Sequence, residues 1–267
     1  MDAFFPDLTG LQWLLFIGAG IFTGVINTLA GSGSLITLPI FIFICGLPAD
    51  VANGTNRIGV FMQSLIGIRG FQKQGQLPTA GLGWLLGPMI LGAIIGAQLA
   101  TQLDKTTMNY VIGGLMVFML LVLLVNPKRW IRESAFDPTQ LKKPLTLGIF
   151  FLVGLYGGFI QAGVGLFLLA GLVLLAKYDL KQANAIKLLA VAVFSIPAII
   201  IFWQNKQIVW GFGIMMGIYQ SIGAYLGVKI VSRVPNTSAW IHKLLILIVI
   251  VSASKFLGLW DLLAAFL

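Results

Sequence analysis

The chain has 267 residues, of which 58% are hydrophobic and only 9% are charged, and its mean hydropathy is +0.98. Soluble globular proteins carry about 25% charged residues, so this composition excludes a soluble domain and indicates an integral membrane protein. The formal net charge is +9, but the lysines and arginines lie mostly at the ends of apolar segments, where they set topology. We therefore do not expect nucleic acid as a partner.

The side chains needed for metal or redox chemistry are scarce. Cys45 is the only cysteine and His242 the only histidine, so neither an intramolecular disulfide nor a soft-ligand metal cluster is expected. All eight acidic residues fall in predicted termini, turns or loops. A membrane enzyme would need a nucleophile, a base or metal ligands at depth, so we expect no enzymatic activity, no cofactor and no bound metal. Asp2 and Asp7 give the N-terminus the wrong charge for a cleaved signal peptide, so the first apolar segment is expected to be retained.

Apolar segments of helical length follow one another along the whole chain, and none shows the strict alternation of a membrane strand. The predicted fold class is therefore all-α, a polytopic transmembrane helical bundle. Residues 34–46 and 166–176 are too short to span comfortably, which predicts half-helices or short tilted spans. The predicted segments are 11–30, 34–46, 51–71, 81–103, 107–125, 145–161, 166–176, 183–203, 208–231 and 239–257.

A polar, glycine-broken stretch separates the first two segments. It contains Asn27, Gly31, Ser32, Gly33 and Ser34, whose polar groups lipid cannot satisfy. Irregular backbone at membrane depth is tolerated only where protein buries it or where it lines a wet cavity. The stretch is therefore a candidate binding site, at which free N–H groups of a helix end face a ligand. The alternative is a tight turn of a helical hairpin, with glycines for close packing.

The same order of elements occurs twice, which indicates a duplication. The sequence from Gly24 to Asn27 aligns with that from Gly158 to Gln161, and Ala30-Gly31-Ser32-Gly33 aligns with Ala162-Gly163-Val164-Gly165. Beyond them a constant offset of 131 (183 − 52) pairs Asn53 with Asn184 and Ser64 with Ser195. We predict one transmembrane domain with repeat one at 1–126, a linker at 127–143 and repeat two at 144–267. The second copy adds Gln161, Gly163 and Gly165 to the candidate site.

The distribution of basic residues predicts the orientation. The stretch 126–144 holds Lys128, Arg129, Arg132, Lys142 and Lys143, which makes it cytoplasmic by the positive-inside rule. Each half has three long spans, so the halves must enter the membrane from opposite sides. This predicts inverted-topology repeats in the cell (inner) membrane, with both termini outside. Such repeats with broken helices are typical of secondary transporters that hold substrate near the midplane and work by alternating access.

Two basic residues lie inside predicted spans. Arg57 follows Thr55 and Asn56 near the start of the third segment, and Lys187 occupies the corresponding region of the second half. A buried charge is expensive and marks a functional candidate. Because no carboxylate lies at depth, a bound anion is the expected partner, and Arg57 can hold a sulfonate or carboxylate bidentately. The alternative is that both side chains extend to the membrane interface.

The first half of the chain resembles the TauE/SafE sulfite-exporter family of membrane transporters. The resemblance lies in the stretch from Ala30 to Leu35, in Leu38-Pro39 and Leu47-Pro48, and in the run from Ala52 to Arg57. The second-half glycines from Gly154 to Gly165 are similar to that family's repeat, and the likeness covers almost the whole chain. The resemblance implies transport, usually outward, of small sulfur-containing anions such as sulfite, sulfoacetate or another organosulfonate. Val164 and Leu166 depart from the first copy, which has Ser32 and Ser34.

The function predicted from these features is secondary transport, most simply export, of small sulfur-containing anions held between the two repeats. An anion channel and a non-transporting membrane assembly subunit are the alternatives. The expected partners are a small anionic substrate and membrane lipid, and a homodimer is left open. The predicted substrate-binding residues are Asn27, Gly31, Ser32, Gly33, Ser34, Thr55, Asn56, Arg57, Gln161, Gly163, Gly165 and Lys187.

Overall fold

The structure, a computed structural model, describes residues 8–78, 81–124, 141–233 and 237–256, with side chains outside 231–244. Within these ranges the chain is helical and contains no strand, so the predicted all-α class is confirmed. The helices are α1 (Gly10–Leu29), α2 (Ser34–Pro39, continued by a π-helical turn at Ile40–Ile44), α3 (Ala49–Lys73), α4 (Leu82–Thr101), α5 (Lys105–Leu124), α6 (Pro144–Phe159), α7 (Val164–Ala170, continued by a π-helical turn at Gly171–Leu175), α8 (Leu180–Gln204), α9 (Trp210–Arg233) and α10 (Thr237–Phe256).

Local sequence accounts for the interruption between α1 and α2. Thr9 caps α1 in a capping box with Gln12, which satisfies free N–H groups at the helix start. Two residues after the end of α1, Gly31 has a φ of +74°, a conformation that glycine adopts without strain. The second half breaks in the same way, because Gly163 before α7 has a φ of +72°. The predicted short segments are therefore short helices, each preceded by a left-handed glycine.

Other backbone features recur at the offset that relates the two halves. The π-helical turn at Ile40–Ile44 returns at Gly171–Leu175, an offset of 131 (171 − 40). Positive φ values at Gly46 and Gly75 return at Lys177 and Lys206, again 131 residues later (177 − 46 and 206 − 75). The duplication inferred from residue matches thus has a counterpart in backbone conformation.

The first broken hairpin begins and ends on the same side of the molecule. Nε2 of Gln12, at the start of α1, donates to the carbonyl oxygen of Ile44 over 3.3 Å. The long helices α3 and α8 run antiparallel, since a methyl group at Gly54 would lie 2.9 Å from Phe202 and one at Gly67 would lie 2.5 Å from Leu188. Inverted repeats require contacts of this kind. The division of the chain into two repeats and the membrane orientation of each repeat stay predictions.

Two tightly packed helix pairs each join one helix from each half of the chain, α1 with α9 and α4 with α6. A methyl group at Gly24 of α1 would lie 2.1 Å from the carbonyl oxygen of Gln220, and one at Gly158 of α6 would lie 2.1 Å from that of Ala93. Backbones approach this closely only where side chains are absent, as is common in membrane helix packing. The halves are therefore interlocked through helix backbones.

Four of the described helices are long and apolar enough to cross a membrane, namely α1, α4, α5 and α8. The chain is thus a multi-pass membrane protein. Most of the central basic segment and both chain termini lie outside the described residues, so their predicted locations stay predictions.

Candidate functional site

The two broken hairpins meet each other at the centre of the helix bundle. The backbone N–H of Gly165 donates to the carbonyl oxygen of Gly31 over 3.0 Å. A methyl group built on Gly165 would lie 2.3 Å from Cα of Gly31, and one on Gly31 would lie 2.5 Å from Cα of Gly165. The contact therefore needs glycine on both sides. It places the two predicted candidate stretches at a single location.

Arg57 of α3 crosses to the broken end of α6 in the other half. Its side chain is fully buried. Nη1 donates to the carbonyl oxygen of Gly157 over 2.9 Å, and Nη2 donates to those of Gly158 over 2.6 Å and Phe159 over 3.2 Å. The guanidinium also lies 4.5 Å from the centre of the Phe202 ring, in cation–π geometry. Arg57 thus binds the carbonyl groups that the end of α6 leaves free.

Lys187 of α8 makes the reciprocal contact with the broken end of α1. Its ammonium group donates to the carbonyl oxygens of Asn27 over 3.0 Å and Thr28 over 3.1 Å. It also donates to Oδ1 of Asn184 over 2.8 Å. The side chain is 1% exposed, so it does not extend to the membrane interface. Each half of the chain therefore places one cation at the helix end of the other half.

These contacts explain how charges are kept at this depth. The last carbonyl groups of a helix have no partner within the helix, and the helix dipole makes that end partly negative. A cation there gains charge-assisted hydrogen bonds to buried carbonyl oxygens, although that of Asn27 also accepts the backbone N–H of Gly31 over 3.0 Å. The sequence predicted an anion as the partner of both cations. In the structure their hydrogen-bond partners are neutral carbonyl and amide oxygens, which leave the positive charges formally uncompensated.

A small cavity of about 10 Å³ lies where the two hairpins meet. This volume accommodates roughly one water molecule. Oε1 of Gln161 has no hydrogen-bond partner among the described residues, while its Nε2 donates to Ser195 over 3.0 Å. The cavity is lined by Asn27, Gly31, Ser34, Val60, Gln161, Val164, Gly165, Lys187, Leu188 and Val191. A small cavity with Lys187 and several neutral polar groups in its lining therefore sits at the contact between the two halves, with room for about one water molecule.

Six of the twelve predicted site residues line this cavity: Asn27, Gly31, Ser34, Gln161, Gly165 and Lys187. The other six lie outside the lining. Asn56 binds Ser34 and Thr37, whereas Oγ1 of Thr55 accepts the backbone N–H of Val209 at the start of α9 over 3.0 Å. Gly163 packs against Met119, and Gly33 packs against Thr23 and Asn27. Arg57 binds the α6 carbonyls, and Ser32 is buried with an unpaired hydroxyl.

Three polar side chains that support the site are not among the twelve predicted substrate-binding residues. Nδ2 of Asn53 donates to the carbonyl oxygen of Phe159 over 2.8 Å, beside Arg57. Asn184 accepts from Lys187, and Ser195 accepts from Gln161. All three belong to pairs that the offset of 131 relates, Asn53 with Asn184 and Ser64 with Ser195. The repeat alignment carried the signal, because it pairs these polar residues between the two halves.

These features define a class of protein, a polytopic α-helical membrane protein with a buried cationic centre between two broken hairpins. Residues 16–256 match the family model described as "Sulfite exporter TauE/SafE". The chain belongs to this family of membrane transporters, as its motifs predicted.

Curated relatives carry only general names. "Probable membrane transporter protein ORF9" of Sinorhizobium sp is 28% identical over 80% of each chain. "Probable membrane transporter protein" of Haemophilus influenzae is 26% identical over 79% of this chain and 82% of the relative. "Probable membrane transporter protein YfcA" of Escherichia coli (strain K12) is 25% identical over 85% of this chain and 81% of the relative. No solved structure matches the chain.

Proposed function

We propose that this protein is a secondary transporter that exports small sulfur-containing anions, bound in the cavity between its two halves. The observation that carries the proposal is the meeting of both broken hairpins around a closed, polar cavity lined by Lys187. The matched family is described as sulfite exporters, which supports an anion of that chemistry.

Electrostatics favour an anion over a cation or a neutral solute. Lys187 lines the cavity, and Arg57 is held on the opposite hairpin by carbonyl oxygens that carry no formal charge. The helical segments Ser34–Ile44 and Val164–Leu175 also begin at the cavity, where the dipole of each helix is positive. An anion entering this region gains from both cations, while a second cation is repelled. Asn27, Ser34 and Gln161 add neutral polar groups that could bind the oxygens of a sulfonate or sulfite.

The size of the cavity fits a transport cycle with a closed state. About 10 Å³ is too small for an anion of several heavy atoms, so the hairpins must separate for substrate to enter. In inverted-repeat transporters the two repeats move against one another around the site. Separation of the two hairpins would break the hydrogen bond between Gly165 and Gly31. Binding of an anion by Lys187 would compensate for part of the interaction energy lost with that bond.

The test combines binding with flux. Purified protein is screened by thermal shift against sulfite, sulfoacetate, sulfate and small carboxylates, and proteoliposomes are then assayed with any anion that stabilises it. We expect saturable flux of a sulfur-containing anion and its loss in Lys187→Met, which keeps an unbranched side chain one atom shorter but removes the charge. Wild-type protein that is folded but insensitive to every anion would overturn the proposal. Unitary currents in place of saturable flux would point to a channel.

A further inference from the structure

A second polar cluster is built from two helices of the first half and one helix of the second half. It consists of Thr23 on α1, Ser32 between α1 and α2, Gln63 on α3 and Gln220 on α9, and we call it the uncharged cluster. All four side chains are fully buried, at 0% exposure. Six of their polar atoms have no hydrogen-bond partner in the described part of the chain: both hydroxyl oxygens and all four amide atoms of the glutamines.

Three members of the uncharged cluster are close in sequence to residues that line the cavity, and the fourth packs against α3 near one of them. Thr23 precedes the cavity-lining Asn27 by one helical turn, and Gln63 follows the cavity-lining Val60 by three residues. Ser32 lies between Gly31 and Ser34, which also line the cavity. A methyl group on Gly59 would lie 2.9 Å from Oε1 of Gln220, so that amide packs against α3 next to Val60.

The repeat alignment pairs each member of the uncharged cluster with a residue of the other half that has no polar side-chain atom. The offset of 131 pairs Gln63 with Phe194 (194 − 63) and Gln220 with Met89 (220 − 89), and the hairpin alignment pairs Ser32 with Val164. The pairing of Gly24 with Gly158 places Thr23 opposite Gly157. A methyl group on Gly157 would lie 2.9 Å from Phe194 and 3.0 Å from Val164, and Met89 belongs to the same apolar core. The repeat-related place is therefore packed without polar side-chain atoms, so the polarity of the uncharged cluster is not a packing requirement of the fold.

The chemistry of the uncharged cluster indicates what it binds. Two hydroxyls and two primary amides supply donors and acceptors in comparable number. A bare anion would satisfy only the donors, and a bare cation only the acceptors. A group that both donates and accepts, such as a hydroxyl or an amide, satisfies both kinds. Buried polar atoms of this sort are costly when unpaired, so a site built from them discriminates against ligands that lack the matching group.

We propose that Thr23, Ser32, Gln63 and Gln220 form a subsite for an uncharged polar end of the transported anion, one that carries a hydroxyl or amide group. This inference rests on the proposed function, because the charged end of the same molecule would bind at the Lys187 cavity. The substrate class is then a short bifunctional anion rather than a simple inorganic one. Because the repeat-related place is apolar, the substrate binds in one direction only.

The experiment uses two probes of nearly equal shape, isethionate and propane-1-sulfonate, which differ by a terminal hydroxyl against a methyl group. Binding and proteoliposome flux are measured for both with the full chain. We expect wild-type protein to prefer isethionate at least tenfold. Thr23→Val and Gln220→Met approximately keep side-chain size and should reduce the preference to within about twofold, because they weaken binding of isethionate more than binding of propane-1-sulfonate. Gln220→Met introduces the residue that the chain itself uses at position 89. Gln72→Met, on the exposed end of α3, makes the same chemical change elsewhere and should keep the preference.

The outcomes separate this inference from the proposed function. If neither sulfonate nor any other small anion binds, the proposed function fails. If both sulfonates bind wild-type protein equally, the subsite is wrong while the anion site stands, and this arm needs no variant. A variant that weakens both probes in equal proportion would show a merely structural role for its side chain and would also overturn the subsite.

Discussion

The contact between Gly31 and Gly165 makes a sharp prediction for Gly165→Ala. The new methyl group would lie 2.3 Å from Cα and 2.4 Å from the carbonyl oxygen of Gly31, whereas ordinary contact begins at 3.4 Å. Both obstructing atoms belong to the backbone and cannot rotate away. The two hairpins must therefore separate by about 1 Å, since non-bonded carbon atoms prefer roughly 3.5–4.0 Å.

That separation lengthens the hydrogen bond from Gly165 to Gly31, now 3.0 Å, to about 4 Å, beyond bonding distance. Loss of the bond costs ~0.5–1.5 kcal/mol, and overpacking of a close contact costs ~1–3 kcal/mol. We expect Gly165→Ala to lower the free energy of unfolding by roughly 2–4 kcal/mol. Because the cavity is built on this contact, anion-induced stabilisation should also be lost.

The matched control is Gly148→Ala in α6, where a methyl group meets nothing within 4 Å. Both positions are helical, so the intrinsic gain of ~1 kcal/mol from glycine to alanine applies to each and cancels in the comparison. Thermal unfolding of both variants in detergent, with and without anion, measures the difference. If Gly165→Ala is as stable as Gly148→Ala, the hairpins do not meet in the way described.

Three further predictions concern charge, topology and driving force. Arg57→Gln should fold with reduced thermal stability, because the carbonyls at the end of α6 lose their charged donor. It should also weaken anion affinity by about tenfold, or ~1.4 kcal/mol, because a positive charge on the neighbouring hairpin is removed. Arg57→Lys should retain more of the affinity because it keeps the charge, and normal binding by Arg57→Gln would contradict a role toward the anion. Single cysteines at Thr9 and Ser134 in a Cys45→Ala background should react with an impermeant thiol reagent from opposite sides of the membrane, and labelling from one side would refute the inverted repeats. An inside-negative potential favours exit of a monoanion by ~2.3 kcal/mol per 100 mV, about 50-fold, so an imposed potential should drive flux of a permanently charged sulfonate without a pH gradient; flux that follows only the pH gradient would indicate proton coupling.

Much of the architecture could be predicted from the sequence because a membrane restricts the choices. Apolar runs of helical length can only be helices in lipid, and the predicted segments 51–71 and 183–203 correspond to α3 (Ala49–Lys73) and α8 (Leu180–Gln204). Glycines at positions that break helical periodicity located both interruptions, since Gly31 and Gly163 have positive φ. These are local properties, each set by a few neighbouring residues.

The partners of the buried cations could not be predicted in this way. Arg57 binds carbonyl oxygens about 100 residues away, and Lys187 binds carbonyls 160 and 159 residues away. The sequence identified the two charged residues. Because a sequence does not distinguish one backbone carbonyl from another, it predicted a bound ligand as their partner and not the end of a helix.

The tertiary structure also decided which polar residues share a site. Gln63 and Gln220 carry no charge and lie 157 positions apart (220 − 63), so neither stands out along the chain. Packing of α9 beside α1 and α3 buries both side chains, and unpaired amides in the interior have a cost that they would not have in water. The sequence by itself determined the class of fold, the helix breaks and the two cations, because these depend on local chemistry and on the membrane. Only the tertiary structure decided what those groups contact, because such contacts depend on how helices from distant parts of the chain pack together.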